Sequence, residues 1–231
     1  MRVMAGEQCT TLTVVSPTAD IVDIYAFDKS TGEGVTDLYR GKTYHIVIPV
    51  ENTSGVSLKV KVKVEIRGSS GVIKSLGEFW TPCISPGYRA NVEFDYTVEQ
   101  DVCTNEVGIE ITAEGVKGAL CDGTEFTFSP RPYASSGFFA WDYLYSVAIS
   151  LDPSEIYVGQ SFTASVTVTN NLPAGHKTDI TVVGHLTIDD VVVPDSTITI
   201  KTSTQASKSL ELESPDVGTH EVCFVIDEVH Y

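Results

Sequence analysis

From Leu58 to Arg67 the chain alternates without a break: Leu58, Val60, Val62, Val64 and Ile66 take one set of positions, and Lys59, Lys61, Lys63, Glu65 and Arg67 take the other. A period of two describes a strand with one buried face and one wet face. The turn residues Gly68-Ser69-Ser70-Gly71 end it. Similar runs predict strands near residues 20–27, 72–80, 90–98 (through Val92, Phe94, Tyr96 and Val98), 106–112 and 124–129. Further along they predict strands near 146–151, 161–169, 178–188, 196–202, 207–213 and 219–227. An isolated extended piece, residues 8–15, precedes them all, and no window keeps a helical period. Pro49 has no N–H to give a ladder, so a bulge or strand end is expected there.

Seventeen residues of this pattern occur twice, 118 positions apart, as residues 37–53 and 155–171. Asp37 meets Glu155, Tyr39 meets Tyr157, Gly41 meets Gly159 and Asn52 meets Asn170. The alternating row Tyr44, Ile46, Ile48 and Val50 falls on Phe162, Ala164, Val166 and Val168, and the Val92/Phe94 strand falls on Leu210/Leu212. Matched turn residues and a matched period make this a repeated strand entry, with each row pointing into its own core. About seven short strands per copy, with turn signals every 8 to 12 residues, is the pattern of an immunoglobulin-like sandwich. The expected fold is therefore all-β: two tandem immunoglobulin-like antiparallel β-sandwiches. Their expected bounds are 1–130 and 146–231, joined by an interdomain linker at 131–145. That linker is unusual, with six aromatics in fifteen residues. Phe138, Phe139, Trp141 and Tyr143 are its interface candidates, either packed between the domains or exposed to a neighbouring subunit or a sugar.

Composition narrows the functional classes. The formal net charge is −16, with 18 acids against 11 bases in residues 1–130 and 13 acids against 3 bases in residues 132–231. An acidic body of this kind repels nucleic acid and anionic lipid and stays soluble when crowded. The stripe Lys59, Lys61, Lys63 and Arg67 lacks interleaved aromatics, so it reads as a solvated face or as a contact for an acidic neighbour. Neither a membrane-length apolar stretch nor a secretion-type h-region is present at Met1 and beyond. No membrane insertion and no nucleic-acid partner are expected.

The five cysteines, Cys9, Cys83, Cys103, Cys121 and Cys223, have no CxxC spacing, so no metal site is expected. If successive strands alternate direction, the loops holding Cys83 and Cys121 share one end of the first sandwich, and Cys9 and Cys103 share the other. Cys83–Cys121 and Cys9–Cys103 are the expected disulfides. Disulfides point to an oxidising site or a hyperthermophile.

Three stretches of the second copy carry a resemblance. They are Tyr157-Val158-Gly159-Gln160-Ser161-Phe162, the Thr- and Val-rich run 163–171, and residues 218–227 from Gly218 to Asp227. Together they resemble a CARDB-type domain, an adhesion-related immunoglobulin-like sandwich of bacterial and archaeal surface proteins. The resemblance covers most of 146–227 and, more weakly, 20–130. It implies a spacer, adhesin or assembly module, with a last strand following the aspartate at position 227. Matching both the halves and the family leaves the second copy without its final strand, so a groove and a bare edge are expected beside residues 223–227. Residues 8–15, where Thr10, Leu12 and Val14 alternate, are the candidate strand to fill it. Leu12, Val14 and Cys223 thus join the interface candidates, with a Cys9–Cys223 link competing with Cys9–Cys103. The alternative is that residues 196–227 rearrange to complete the sandwich unaided.

Chemistry is harder to find. No HExxH, GxSxG, GxGxxG or Walker pattern occurs, so no catalytic residue and no cofactor is assigned. Asp189, Asp190 and Asp195 read as a solvated turn or, alternatively, a calcium loop. Asn52-Thr53-Ser54 is a lone glycosylation sequon. The expected role is a non-enzymatic structural subunit of an extracellular assembly, with a virion surface (turret, spike or capsid-associated, plausibly archaeal) as the favoured setting. Its expected partners are copies of itself and other structural proteins of the assembly. A cell-surface filament or adhesin subunit is the alternative. So is a carbohydrate-binding module with a glycan receptor, which needs the linker aromatics exposed.

Overall fold

The computed structural model describes residues 14–104 and 108–231, and all but one of the regular elements are strands. The strands are β1 (Ala19–Ile21), β2 (Tyr25–Asp28), β3 (Asp37–Tyr39), β4 (Thr43–Asn52), β5 (Leu58–Gly68), β6 (Gly71–Trp80), β7 (Arg89–Thr97), β8 (Gly108–Leu120) and β9 (Glu125–Phe126). They continue with β10 (Tyr133–Trp141), β11 (Tyr145–Asp152), β12 (Ser161–Asn170), β13 (Ile180–Ile188), β14 (Val191–Val192), β15 (Ile198–Thr202), β16 (Gln205–Glu213) and β17 (Val222–His230). A short 3₁₀ turn, Gln100–Val102, lies between β7 and β8.

Two compact units divide the chain. Unit 1 takes the described residues up to Tyr25 together with Ile46–Phe94 and Glu110–Ser136; unit 2 takes Ala26–His45, Asp95–Ile109 and Gly137–Tyr231. One aspect of the expected organisation is corrected here. Residues 131–145 are not a linker, because Tyr133–Trp141 is strand β10. Exposed and less exposed positions alternate along it as in a half-buried strand, and its aromatics masked that reading.

The first repeat builds a sheet in which β1, β2 and β7 all pair with β4, and a second sheet in the order β3-β10-β8-β5-β6 with β9 on β8. In the second repeat, β11-β12-β16 form one sheet, and β14, β15 and β17 pair with β13 in the other. Burial follows the alternation. Tyr44, Ile46, Ile48 and Val50 are buried in β4, as are Phe162, Ala164, Val166 and Val168 in β12. The β12 row packs on Ile180, Val182 and Leu186 of β13, Ile198 and Ile200 of β15, and Leu212 of β16.

Pro49 sits inside an unbroken β4, and neither a bulge nor a strand end marks it. Its carbonyl accepts from the Val22 N–H at 2.9 Å, in the gap between β1 and β2. A strand residue directs its N–H and C=O to the same side, so the missing donor falls where the flanking strand is itself interrupted.

The ladders β5–β8 and β13–β17 match residue for residue. Both are antiparallel, and each carries a one-residue irregularity, at Lys61/Val62 and at Val183/Gly184. Just beyond it Val62 faces Gly115 and Gly184 faces Ile226; further on Glu65 faces Thr112 and Thr187 faces Cys223. Thus β17 is the counterpart of β8, with Thr112 standing where Cys223 stands.

Candidate functional site

In the first repeat β10 lies between β3 and β8. It runs parallel to β3, with Phe139 opposite Asp37, Ala140 opposite Leu38 and Trp141 opposite Tyr39. On its other edge Pro132 accepts from the Gly115 N–H at 2.8 Å. Phe138 and Ala140 are buried, and in the neighbouring strand Ile111 and Ala113 of β8 have no exposure at all. Tyr39 is buried too, and its backbone N–H donates to the Tyr44 hydroxyl at 2.9 Å.

The second repeat reproduces both neighbours of that strand. The turn after Tyr39 closes with Lys42 N–H to Tyr39 O at 3.1 Å, and the turn after Tyr157 closes with Gln160 N–H to Tyr157 O at 3.0 Å. Gly41 and Gly159 hold φ of 80° and 83° at the position where such a turn needs glycine. Glu155, Ile156 and Tyr157 therefore stand where Asp37, Leu38 and Tyr39 stand. Between them and β17, however, the described residues supply no strand: β17 pairs with β13 and has its other edge bare. Val222 and Phe224, the counterparts of Ile111 and Ala113, are only half-buried, and Val225 and Ile226 are exposed. An open hollow of about 520 Å³ lies there, walled by Leu151, Ile156, Phe162 and Val222. This opening, with the unpaired edge of β17 on one side and a lining in which Ser154, Glu155 and His220 join the apolar residues, is the candidate site. It is the bare edge and groove expected from the sequence, but the strand that it lacks corresponds to β10 and not to residues 124–129, where β9 spans only Glu125–Phe126.

The aromatic candidates have a different job. Within unit 2, Trp141, Tyr39 and Leu172 form a small core with Leu144 and Tyr231 against it. The Trp141 indole N–H donates to Asp37 Oδ1 at 2.7 Å, and His176 Nδ1 meets the same oxygen at 2.7 Å. The His176 ring lies 4.8 Å from Trp141 and 5.1 Å from Phe139, and Tyr39 donates its hydroxyl proton to His176 O at 2.7 Å. The Arg40 guanidinium sits 5.1 Å over the Tyr143 ring and bonds Asp142 at 2.8 Å. Tyr231 donates to Asp142 O and accepts from Leu144 N–H, and burial pushes its phenol up to about 12. Phe138 and Trp141 are buried and so are not available to an exposed sugar platform, whereas Phe139 is exposed and Tyr143 half-buried.

Cys83 and Cys121 form a disulfide with Cα atoms 5.8 Å apart. Cys103 and Cys223 carry free thiols. Burial, then the Asp142 carboxylate, pushes the Cys103 thiol up to about 12. Burial, with Glu221 and Asp190 nearby, also raises that of Cys223. Cys9 and Leu12 lie outside the described residues, and with them the Cys9–Cys103 and Cys9–Cys223 pairings. Val14 is described and is 85% exposed.

Other sequence candidates resolve into local structure. Each of the five histidines hydrogen-bonds a carboxylate, that of His45 being Asp95, of His185 Asp227, of His220 Asp189 and of His230 Glu228. Asp189 and Asp190 both take positive φ in the tight turn from β13 to β14, and Asp189 also accepts from the Glu221 N–H. Among the described residues no group of three or more His, Cys, Asp or Glu is placed to hold a metal ion. The sequon asparagine is no acceptor in the folded chain: Asn52 is fully buried, and its amide donates to Val56 O and Ile84 O, both at 2.8 Å. On the lysine stripe, Lys61 pairs with Glu78, while Lys63 and Arg67 pair with the buried Glu65.

No protein-family model matches the chain, and no curated protein matches it. Among solved structures it is similar to the CARDB domain of a Pyrococcus furiosus protein, itself in complex with di-metal ions. That match has 15% identity and a TM-score of 0.35, covering 56% of this chain and 98% of that one. It is also similar to red sea bream transglutaminase (13% identity, TM-score 0.35, 94% of this chain and 30% of that one). A third is the Bacillus subtilis sporulation control protein Spo0M (7% identity, TM-score 0.34, 81% and 91%). At these values none carries an argument about what the chain does.

Proposed function

We propose that this chain is a non-enzymatic structural subunit that works by assembling with copies of itself and with other structural proteins, outside the cytoplasm. The observation that carries the reading is the edge of β17 that no described strand pairs, with a hollow beside Val222 at one end of it. A sheet edge with apolar residues such as Val225 and Ile226 beside it is a template for another strand, and proteins that keep one exposed generally cover it with a partner. The Cys83–Cys121 bridge favours an oxidising location. The acidic surface keeps such a subunit soluble until it docks. A virion surface, as turret, spike or capsid-associated subunit, is the setting proposed, and a cell-surface filament or adhesin built by strand exchange uses the same edge.

Sedimentation velocity over a hundredfold concentration range, with and without reductant, tests the assembly. A concentration-dependent shift to dimers or longer chains is expected, and a monomer throughout would sink the proposal. Antibody labelling of intact cells and of purified particles separates the two settings.

A further inference from the structure

We infer that residues 8–15 of a second copy fill the strand position between Glu155–Ile156–Tyr157 and β17. This deepens the assembly reading and rests on it. The first repeat shows what such a position holds. There Ser136, Phe138 and Ala140 form the inward row of β10, half-buried at Ser136 and buried at the other two. Thr10, Leu12 and Val14 repeat that row in kind: a small hydroxyl residue, a large apolar residue, a smaller apolar residue. Val14 and Val15 are 85% and 78% exposed, so unit 1 does not bury the segment's last two apolar residues. Exposed apolar residues at the end of an alternating segment and a strand position that no described residue fills thus occur in the same chain.

The register follows from the first repeat. Ala140 faces Leu38, so Val14 in its place faces Ile156, and Val15 in the place of Trp141 lies beside Tyr157, which is 81% exposed. Leu12 takes the place of Phe138 and turns into the hollow walled by Leu151, Ile156, Phe162 and Val222. On the other edge, the Gly115 N–H donates to Pro132 O, and continued as an antiparallel ladder that bond puts Ser135 opposite Thr112. The matching residues are Cys9 and Cys223. That pair is a non-hydrogen-bonded one, the closer of the two antiparallel kinds, whose Cα separation of about 4.5 Å lies within disulfide range. The donor assigned is a second copy, as the assembly reading requires, and the mixed-isotope experiment below separates it from donation within one chain.

The test mixes copies grown in ¹⁴N and ¹⁵N, oxidises the mixture with copper phenanthroline, and maps disulfide-linked peptides by mass spectrometry. It is paired with sedimentation of full-length Leu12→Glu, whose substitution precedes β1 and whose folding is checked by circular dichroism. The expected result is a Cys9–Cys223 peptide of mixed isotope and a Leu12→Glu protein that stays monomeric at concentrations where the unaltered chain assembles. A Cys9–Cys223 peptide only of like isotopes would overturn donation between copies. Unchanged assembly of Leu12→Glu, with no Cys9–Cys223 peptide, would overturn residues 8–15 as the donor while leaving the assembly reading standing. A wild-type chain that never assembles would remove both.

Discussion

Tyr39 and Tyr157 occupy the same place in the two repeats, one step before the same glycine turn, yet Tyr39 is 9% exposed and Tyr157 is 81% exposed. One strand is part of the difference, beside the packing of Leu172 and Tyr231 on Tyr39. Trp141 of β10 lies opposite Tyr39, and no described residue lies opposite Tyr157. A sequence repeat can thus copy both walls of a strand position without copying the strand.

The two repeated rows should each support their own core. Ile48 and Val166 have no exposure, so Ile48→Ala should cost about 2–5 kcal/mol and Val166→Ala somewhat less, through lost transfer energy and the cavity left behind. Urea unfolding of each variant checks this; a change under about 0.5 kcal/mol, the size expected of a surface substitution, would contradict the register.

The paired asparagines should matter as much as the apolar rows. Asn170 donates to Thr178 O at 2.7 Å and accepts from Leu172 N–H at 3.0 Å, as Asn52 bridges Val56, Ile84 and Ser54. Asn52→Ala or Asn170→Ala strands buried backbone groups, for an expected loss of about 1–3 kcal/mol. Asn→Asp should be at least as damaging, because it removes the donor and buries a charge. Thermal melts compare the two.

The disulfide closes a loop of 38 residues in unit 1. Cys83→Ser with Cys121→Ser should lower stability by about 3–4 kcal/mol in the chain-entropy model. An unfolding midpoint in denaturant that is indifferent to reductant would refute it.

Acid should weaken unit 1 partly through Glu65. Hydrogen bonds from Lys63 and then Arg67 hold its carboxyl below the usual carboxylate range. A depressed carboxyl stabilises fully above its unfolded pKa, and that contribution disappears as pH falls through the folded one. Denaturant midpoints taken from pH 7 to pH 3 should therefore fall less steeply in Glu65→Gln than in the unaltered chain.

Cys103 should be a slow thiol. With its pKa pushed up to about 12, little thiolate exists at pH 8. Its alkylation by iodoacetamide, followed by peptide mass, should lag well behind that of a small-molecule thiol at that pH and accelerate as the pH is raised.

Much of this was legible in the chain because the signals are local. The Leu58–Ile66 alternation, the φ-positive glycines at 41 and 159, and the buried rows of β4 and β12 follow from a period of two and from turn chemistry. Pro49 misled because the break in its neighbour, between Ile21 and Tyr25, is a pairing fact and not a local one. The aromatics of residues 133–141 misled for a similar reason: Trp141 reads as part of a linker, packed between domains or exposed, until Asp37, about a hundred residues away in sequence, is found accepting its N–H. The sequon at Asn52 reads as surface chemistry until Ile84 O claims its amide.

The sequence by itself determined that the chain is all-β, that it is written twice, and which face of each repeated strand is buried, since side-chain direction alternates residue by residue. Only the tertiary structure decided which segment closes the first repeat and which side chains that closure hides. Strand order is set by backbone hydrogen bonds between residues far apart in the chain, and those bonds carry no side-chain signature. For that reason the alternation could point to an edge beside residues 223–227, but only the place of β10 between β3 and β8 decided which strand the second repeat lacks there among its described residues.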